Sequence, residues 1–488
     1  MAKYTTSDIR NIAFVGHGGA GKTTLVEALL KAGGVIGQVG EVEKGTTVSD
    51  FDELEKEHGN SLATSIVHCD IKGKHINILD TPGYPDFMGQ ALTALPAVET
   101  LAVVIDAHAG IEMTTRRMME RAAERNLCRM IIVNKIDADN VDLPQLVEQI
   151  RETFGNECLP INLPTGGAAD VVDVFDKASG EADFSSVSEA HTAIVEQVVE
   201  TDEELAMAYL DGEEPTPEQL HNAFEEALRE GHLIPILFCS ARTGAGLEDM
   251  MHIFCDLAPS PAEGNPRPFL RGEGDEAEEF HADPDPDKHA IAHVFKMAID
   301  PFVGKLSVFR IHQGTVTKES QLYVGDAKKP FKVGHLFKLQ GKDHVEIDAA
   351  IPGDIAAVAK VEEIEFDDVL HDSHDEDHIH LKPLDFPKPM HGLAIEAKSR
   401  GDEQKMAKAL SALESEDRCF VVERTSSGEI VIRGLGDLHM RVCLEKMKAR
   451  YGVEVETNPP KIEYKETIQA EAEGHHRHKK QTGGAGQF

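Results

Sequence analysis

No apolar run in this 488-residue sequence reaches the length needed to cross a bilayer. The opening MAKYTTSDIR lacks an apolar core like that of a secretory signal. Basic residues are outnumbered, 49 Lys and Arg against 86 Asp and Glu, for a formal net charge of -37. That balance excludes a protein that coats nucleic acid non-specifically, because neutralising phosphates needs clustered Lys and Arg. It leaves room for a few local contacts on a large nucleoprotein. Cysteine is sparse: residues 69, 128, 158, 239, 255, 419 and 443 are dispersed and show no paired metal spacing. A reducing compartment is therefore expected rather than a disulfide framework. Together these absences point to a soluble, cytoplasmic, monomeric protein with no membrane partner, long enough for roughly three domains.

The first half alternates short apolar runs with helical patterns. NIAFV (11–15), Ile76–Leu79, LAVVID (101–106), MIIVN (130–134) and IPILFC (234–239) read as buried strands, and Lys22–Ala32 reads as a helix. Such alternation predicts a parallel sheet with helices on both faces. Between about 158 and 233 the rhythm breaks into a Gly/Ala-rich segment and Glu-rich helical sequence, read as an α/α+β insertion within a nucleotide domain of residues 1–265. Pro259–Lys288 is rich in Pro, Gly, Asp and Glu and reads as a linker. Strand patterns from Ala290 onward predict a β-barrel within 266–380. A βαββαβ order over 381–468 predicts a ferredoxin-like domain. The Gly-rich end KKQTGGAGQF belongs to a segment, 469–488, expected to be the truncated start of a fourth domain.

Three motifs carry chemistry. GHGGAGKT (Gly16, His17, Gly18, Gly19, Ala20, Gly21, Lys22, Thr23), continued by Thr24, follows a strand and opens a helix. In that context it is a phosphate-binding loop: backbone N–H groups curl around phosphates, Lys22 reaches the β/γ-phosphates and Thr23 offers its hydroxyl to Mg²⁺. DTPGYPDF begins where a strand ends, at Asp80, Thr81, Pro82 and Gly83. Asp80 is placed to hold Mg²⁺ through water, and the backbone of Gly83 can approach the γ-phosphate. NKID supplies Asn134, Lys135 and Asp137 after an apolar strand. The Asp137 carboxylate can accept two hydrogen bonds from the N1–H and N2–H₂ edge of guanine, which adenine lacks. Ser240, Ala241 and Arg242 follow IPILFC and can complete the base pocket.

With these motifs in order, the chain resembles elongation factor G, the translocation GTPase of translation, along essentially its whole length. GHGGAGKTT, DTPGYPDF, NKID and SARTG resemble the family's nucleotide motifs; DPFVGKLSVFRIHQG resembles its second domain, and EDRCFVVER, GLGDLHMRV and YGVEV its third. The resemblance implies GTP and GDP as ligands, Mg²⁺ as cofactor, ribosome-stimulated hydrolysis and ribosomal RNA and protein as partners.

The sequence departs from the family pattern at three positions. Ser61, in HGNSL, stands where a threonine ligates Mg²⁺; its hydroxyl can still do so. Gly19 replaces an aspartate near the phosphates. Tyr84 replaces the histidine that positions the attacking water. A phenol is neutral at pH 7 and cannot supply an imidazolium. Two readings follow for Tyr84. Either hydrolysis is slowed by about 10²–10⁴, or the phenol orients water adequately and the partner supplies the remainder. The corresponding functions are a ribosomal GTPase of the elongation factor G type and a GTP-binding ribosomal regulator with slow or absent hydrolysis. A related GTPase acting in recycling or antibiotic protection is a third reading. HDSHDEDHIH, with His371, His374, His378 and His380, reads as a solvated interdomain loop rather than a transition-metal site. His439 reads as structural. GHHRHKK (474–480) is either a phosphate contact or a solvated loop.

Overall fold

The computed structural model describes residues 4–476, apart from 214, 266, 273, 301, 302, 400, 427, 463 and 465. The KKQTGGAGQF segment and most of GHHRHKK lie outside the described residues.

The first half is built on a seven-stranded sheet of order β2-β3-β1-β4-β5-β9-β6. Its strands are β1 (Ile9–Gly16), β2 (Ser65–Ile71), β3 (Lys74–Asp80), β4 (Thr100–Asp106), β5 (Cys128–Asn134), β6 (Cys158–Pro160) and β9 (Ile234–Phe238). All pairings are parallel except β2 with β3. β1 is buried at every position because helices cover both faces, which is why it reads as an unbroken apolar run. The helices α1 (Lys22–Ala32), α2 (Glu53–His58), α3 (Met88–Leu92), α4 (Met113–Glu124), α5 (Leu143–Phe154) and α9 (Leu247–Asp256) accompany this sheet. Parallel strands end at one edge, so the loops after Gly16, Asp80, Asp106, Asn134 and Phe238 gather there.

The stretch between about 158 and 233 is more mixed than the sequence suggested. Cys158–Pro160, read as the start of the insertion, is an edge strand of the main sheet paired with β9. The Gly/Ala-rich segment forms a hairpin of β7 (Asn162–Thr165) and β8 (Asp170–Asp173). Helices α6 (Val187–Val199), α7 (Glu203–Leu210) and α8 (Pro217–Glu230) follow, each set off by a side-chain N-cap from Ser186, Asp202 or Thr216.

The supposed linker 259–288 is partly ordered as sheet. Phe269–Arg271 pairs with Glu278–Phe280 and with Ile379–Leu381. The His-rich stretch is likewise no open loop: Val369–His371 and Ile379–Leu381 are strands, and His371, 1% exposed, sets its ring nitrogens 2.8 Å from the carbonyl oxygens of Ser373 and Gly325. Among the described residues no three His, Cys, Asp or Glu side chains are grouped to hold a metal ion. Between these segments lies an eight-stranded sheet in which every pairing is antiparallel. Its long hairpin, Ile291–Asp300 with Gly304–Gln313, packs Val294, Phe309 and Ile311 onto Leu322, Val358 and Leu370.

The last unit runs His391–Ala397, α10 (Glu403–Glu416), Val421–Arg424, Ile430–Gly434, α11 (Asp437–Tyr451) and Val455–Asn458. Its four strands are antiparallel, with the first strand between the third and fourth. This is the split-βαβ arrangement, with both helices packed through Met406, Leu410, Met440 and Met447 on Phe420 and Ile432. Among the described residues no helix is long and apolar enough to cross a membrane.

Candidate active site

The loop from β1 to α1 is shaped by backbone geometry. Gly16 has φ +135°, and a Cβ there would lie 2.2 Å from the Val104 carbonyl oxygen of β4, so only glycine fits. Gly21, at φ +90°, opens α1 with no side-chain cap, leaving the first-turn N–H groups for a ligand. Lys22, 6% exposed, folds back and donates to the carbonyls of Gly16 at 3.0 Å and His17 at 2.8 Å. Thr24 follows on α1, half-buried. His17 sits 3.4 Å from Glu112 at the start of α4.

The three residues expected around Mg²⁺ converge. Thr23 Oγ1 donates to Asp80 Oδ2 at 2.8 Å and lies 3.3 Å from Ser61 Oγ. Asp80 is 1% exposed, and its Oδ1 has no hydrogen-bond partner among the described residues. A second carboxylate, Asp50, is 4% exposed with its own Oδ1 unpartnered. Burial, then the charge of Asp50, pushes the Asp80 carboxyl up, while burial pulls the Lys22 ammonium down. Two buried carboxylates facing one buried ammonium leave an excess of negative charge and free oxygen lone pairs. That donor set, all oxygen, suits a hard divalent cation such as Mg²⁺.

Gly83 presses on the phosphate loop. A Cβ on it would lie 2.5 Å from both the Gly18 nitrogen and Lys22 Nζ. Its carbonyl accepts from the Thr114 hydroxyl of α4 at 3.2 Å. Thr81 anchors the segment by donating its hydroxyl to the Phe14 carbonyl at 2.7 Å, and Pro82 beside it is buried. The Tyr84 ring lies over Gly18, where a Cβ would come within 2.8 Å of Cε2. The phenol therefore stands on the phosphate loop itself, and Gly18 is what leaves it space.

The base-pocket motifs meet as expected from their order. Asn134 bridges two loops: its Nδ2 donates to the Ala20 carbonyl at 2.9 Å, and its Oδ1 accepts from the Ala241 N–H at 3.1 Å. Lys135 takes φ +65° and reaches Gly19 O at 2.6 Å and Asp106 Oδ2 at 2.7 Å. Arg242, mostly exposed, pairs with Asp137 at 2.6 Å. Burial works to raise the Asp137 carboxyl, but the Ser240 hydroxyl and Arg242 outweigh it and hold it ionised.

Several residues escaped the sequence reading. Asp50 and Asp106 join the cluster from positions outside any motif. Glu27 of α1 is fully buried, and its two oxygens accept from Gly40 N at 2.9 Å and Val48 N at 2.6 Å. It pins the limb that leads to Asp50 and Ser61. The signal was an acid inside the buried stripe Leu25, Val26, Ala28 and Leu29. Glu55 of α2 accepts from Leu62 N at 3.0 Å and Ala63 N at 3.2 Å, which fixes the segment just after Ser61.

Comparison with known proteins gives the family. Residues 7–260 match the family described as "Elongation factor Tu GTP binding domain", 289–373 match "Elongation factor G domain 2", and 386–459 match "Elongation Factor G, domain III". An "Elongation factor G-like protein" of Thermotoga maritima is 32% identical over 99% of this chain and 71% of its own length. The "Elongation factor G" of the same organism is 31% identical over 100% of this chain and 73% of its own. "Elongation factor G 2" of Saccharophagus degradans is 33% identical over 98% and 71%. A solved structure from Thermus thermophilus superposes with a TM-score of 0.84 at 34% identity, covering 98% of this chain and 71% of that one. Three family models matched in order, and relatives about 32% identical across the whole chain, place this chain in the elongation factor G family of translational GTPases.

Proposed function

We propose that this chain binds GTP and Mg²⁺ at the edge of the parallel sheet and couples hydrolysis to a step on the ribosome, with translocation the step its family points to. The observation that carries the reading is the convergence of Thr23, Ser61 and Asp80 near Lys22, beside a second buried carboxylate, Asp50, with Oδ1 of both Asp80 and Asp50 unpartnered. Thr23, Ser61 and Asp80 would hold Mg²⁺, the last through water, and the ion would supply charge neutralisation at the phosphates. Residues 16–24 and 80–83 contact the phosphates. Asn134 and Lys135 brace the base pocket, Asp137 reads guanine, and Ser240–Arg242 close the rim. The nucleotide domain spans 1–265, the β-barrel 266–380 and the ferredoxin-like unit 381–468. The protein acts in the cytoplasm as a monomer, its macromolecular partner being ribosomal RNA and protein.

Tyr84 supports a second reading, a ribosome-bound GTP clamp with slow turnover. Its ring rests on Gly18, so a phenol stands where the family's water-orienting residue is expected. Single-turnover GTP hydrolysis by the full chain, with and without ribosomes, separates the two. Strong stimulation supports the enzyme; tight GTP binding without phosphate release supports the clamp. Lys22→Ala is expected to abolish GTP binding and Asp137→Asn to relax guanine preference. Unchanged nucleotide affinity in both would refute the site assignment.

A further inference from the structure

Helix α11 begins at Asp437, and its N-cap position, Gly436, has no side chain to accept the first N–H groups. Those orphan donors need an acceptor. It comes from 353 residues earlier: Asp86 Oδ1 accepts from His439 N, the third helical residue, at 3.1 Å. This is the bond a local N-cap aspartate would make. The site is built for it, since a Cβ on Gly436 would lie 2.3 Å from Asp86 Oδ1. Asp86 is the second residue after Tyr84 in DTPGYPDF. The same segment is gripped by packing: Phe87, 2% exposed, joins Val442 of α11 with Leu54 and Leu62, and Tyr84 and Leu438 pack against that cluster. The Phe87 and His439 rings meet edge-on at 6.0 Å. Phe87 N also closes a turn onto Tyr84 O at 2.9 Å, so Asp86 lies inside a rigid loop whose first residue is Tyr84.

We propose that Asp86 is a positioning residue that caps α11 across the domain boundary, so that the place of α11 sets the place of the Tyr84 phenol over the phosphate loop. The cap makes the 84–87 turn and the first turn of α11 one body. Movement of the ferredoxin-like unit is then delivered to Tyr84, and displacement of Gly83 by a phosphate group is delivered to α11. The inference rests on the GTPase reading for its kinetic consequence but not for the coupling itself.

The test compares Asp86→Ala, Asp86→Asn and Gly436→Ser in the full chain. Serine at 436 gives α11 its own capping hydroxyl and displaces the Asp86 carboxylate. The backbone there, at φ -164°, is extended and accessible to any residue. It therefore breaks the bridge while keeping the helix capped. Ribosome-stimulated single-turnover hydrolysis is expected to slow roughly fivefold to tenfold in Asp86→Ala and Gly436→Ser. GTP affinity should be unchanged, and Gly436→Ser should melt no lower than the unmodified chain. Asp86→Asn retains an acceptor oxygen and should stay within about threefold. Hydrogen exchange at the Phe87 amide should accelerate in both slow variants. Wild-type rate and Phe87 protection in Gly436→Ser would overturn the proposal, as would a loss confined to GTP affinity. If the unmodified chain does not hydrolyse GTP, the GTPase reading fails, and the Phe87 amide alone decides the coupling: faster exchange in both variants upholds it, unchanged exchange overturns it.

Discussion

Tyr84 is one phenol placed on a glycine of the phosphate loop, and the chemistry of the site narrows to what that ring can do. Its hydroxyl can donate or accept one hydrogen bond. Tyr84→His restores a titratable donor at the same backbone position. The rate of ribosome-stimulated hydrolysis is expected to rise, by up to about 10²–10⁴ if the phenol limits chemistry; an unchanged rate in a phosphate-release assay would show that it does not. Glu27 acts at the same scale but on the loop rather than on water. Its two oxygens each accept a backbone N–H. In Glu27→Gln the amide offers one acceptor and one donor, so either Gly40 or Val48 is left unsatisfied at about 1–3 kcal/mol. The expected result is faster amide exchange over residues 40–48 and faster nucleotide release, read by exchange mass spectrometry and stopped-flow. Tyr84 is legible from its place in DTPGYPDF, whereas Glu27 lies in no motif. Glu27 is visible only as an acid on a buried helical face, and its partners belong to a loop with no periodicity.

At the scale of elements, the parallel sheet is joined to the antiparallel one by a buried charge cluster. Glu99, just before β4, accepts from Arg267 at 2.8 Å and from Asn11 at 3.0 Å, and pairs with Arg310 of the Gly304–Gln313 strand. Burial works to raise the Glu99 carboxyl, but Arg310 and Arg267 outweigh it and hold it below its ordinary value. A carboxyl depressed in the fold contributes stability that is present above its unfolded pKa, near 4.5, and is lost as pH falls through the folded one. Glu99→Ala leaves two buried guanidinium groups uncompensated and should cost about 3–5 kcal/mol at pH 7. In denaturant titrations the gap to the unmodified chain should stay constant from neutrality down to about pH 5 and close only below the ordinary carboxyl range. A constant gap at pH 3 would refute the assignment. Nothing local marks Glu99, Arg267 and Arg310 as partners, because two of the three contacts cross domains.

For the whole molecule, the first half of the chain is tied to both following units. Arg450 of α11 bridges Asp52, at the head of α2, at 2.6 Å and Glu416 at 3.1 Å, and His58 at the end of α2 meets Glu445 at 2.7 Å. Tyr4 donates to Asp354, next to the eight-stranded antiparallel sheet, at 2.8 Å. A ligand that binds the folded site alone should therefore stabilise more than the nucleotide domain. GTP with Mg²⁺ at 100 times its Kd should add about 2.7 kcal/mol and raise one shared thermal transition. Chelating Mg²⁺ or introducing Lys22→Ala should remove that shift. Separate transitions, with only the first one moving, would show that the units unfold independently.

The sequence by itself determined β1, β3, β4, β5, β9 and α1, together with the phosphate-loop and NKID motifs. Each is written in contiguous residues whose period or spacing follows from backbone geometry alone. The same holds for the βαββαβ order of the last unit. Parts of two segments read as a linker and a loop, 259–288 and the His-rich stretch, are strands: Phe269–Arg271 pairs with Ile379–Leu381, far away in the chain, and such pairing has no local signature. Only the tertiary structure brought Asp50 to Asp80, seated Tyr84 on Gly18, and carried Asp86 to the uncapped end of α11. A hydrogen bond or a buried charge pair is decided by the positions of both partners. When those partners are separated by whole domains, neither residue carries the information alone.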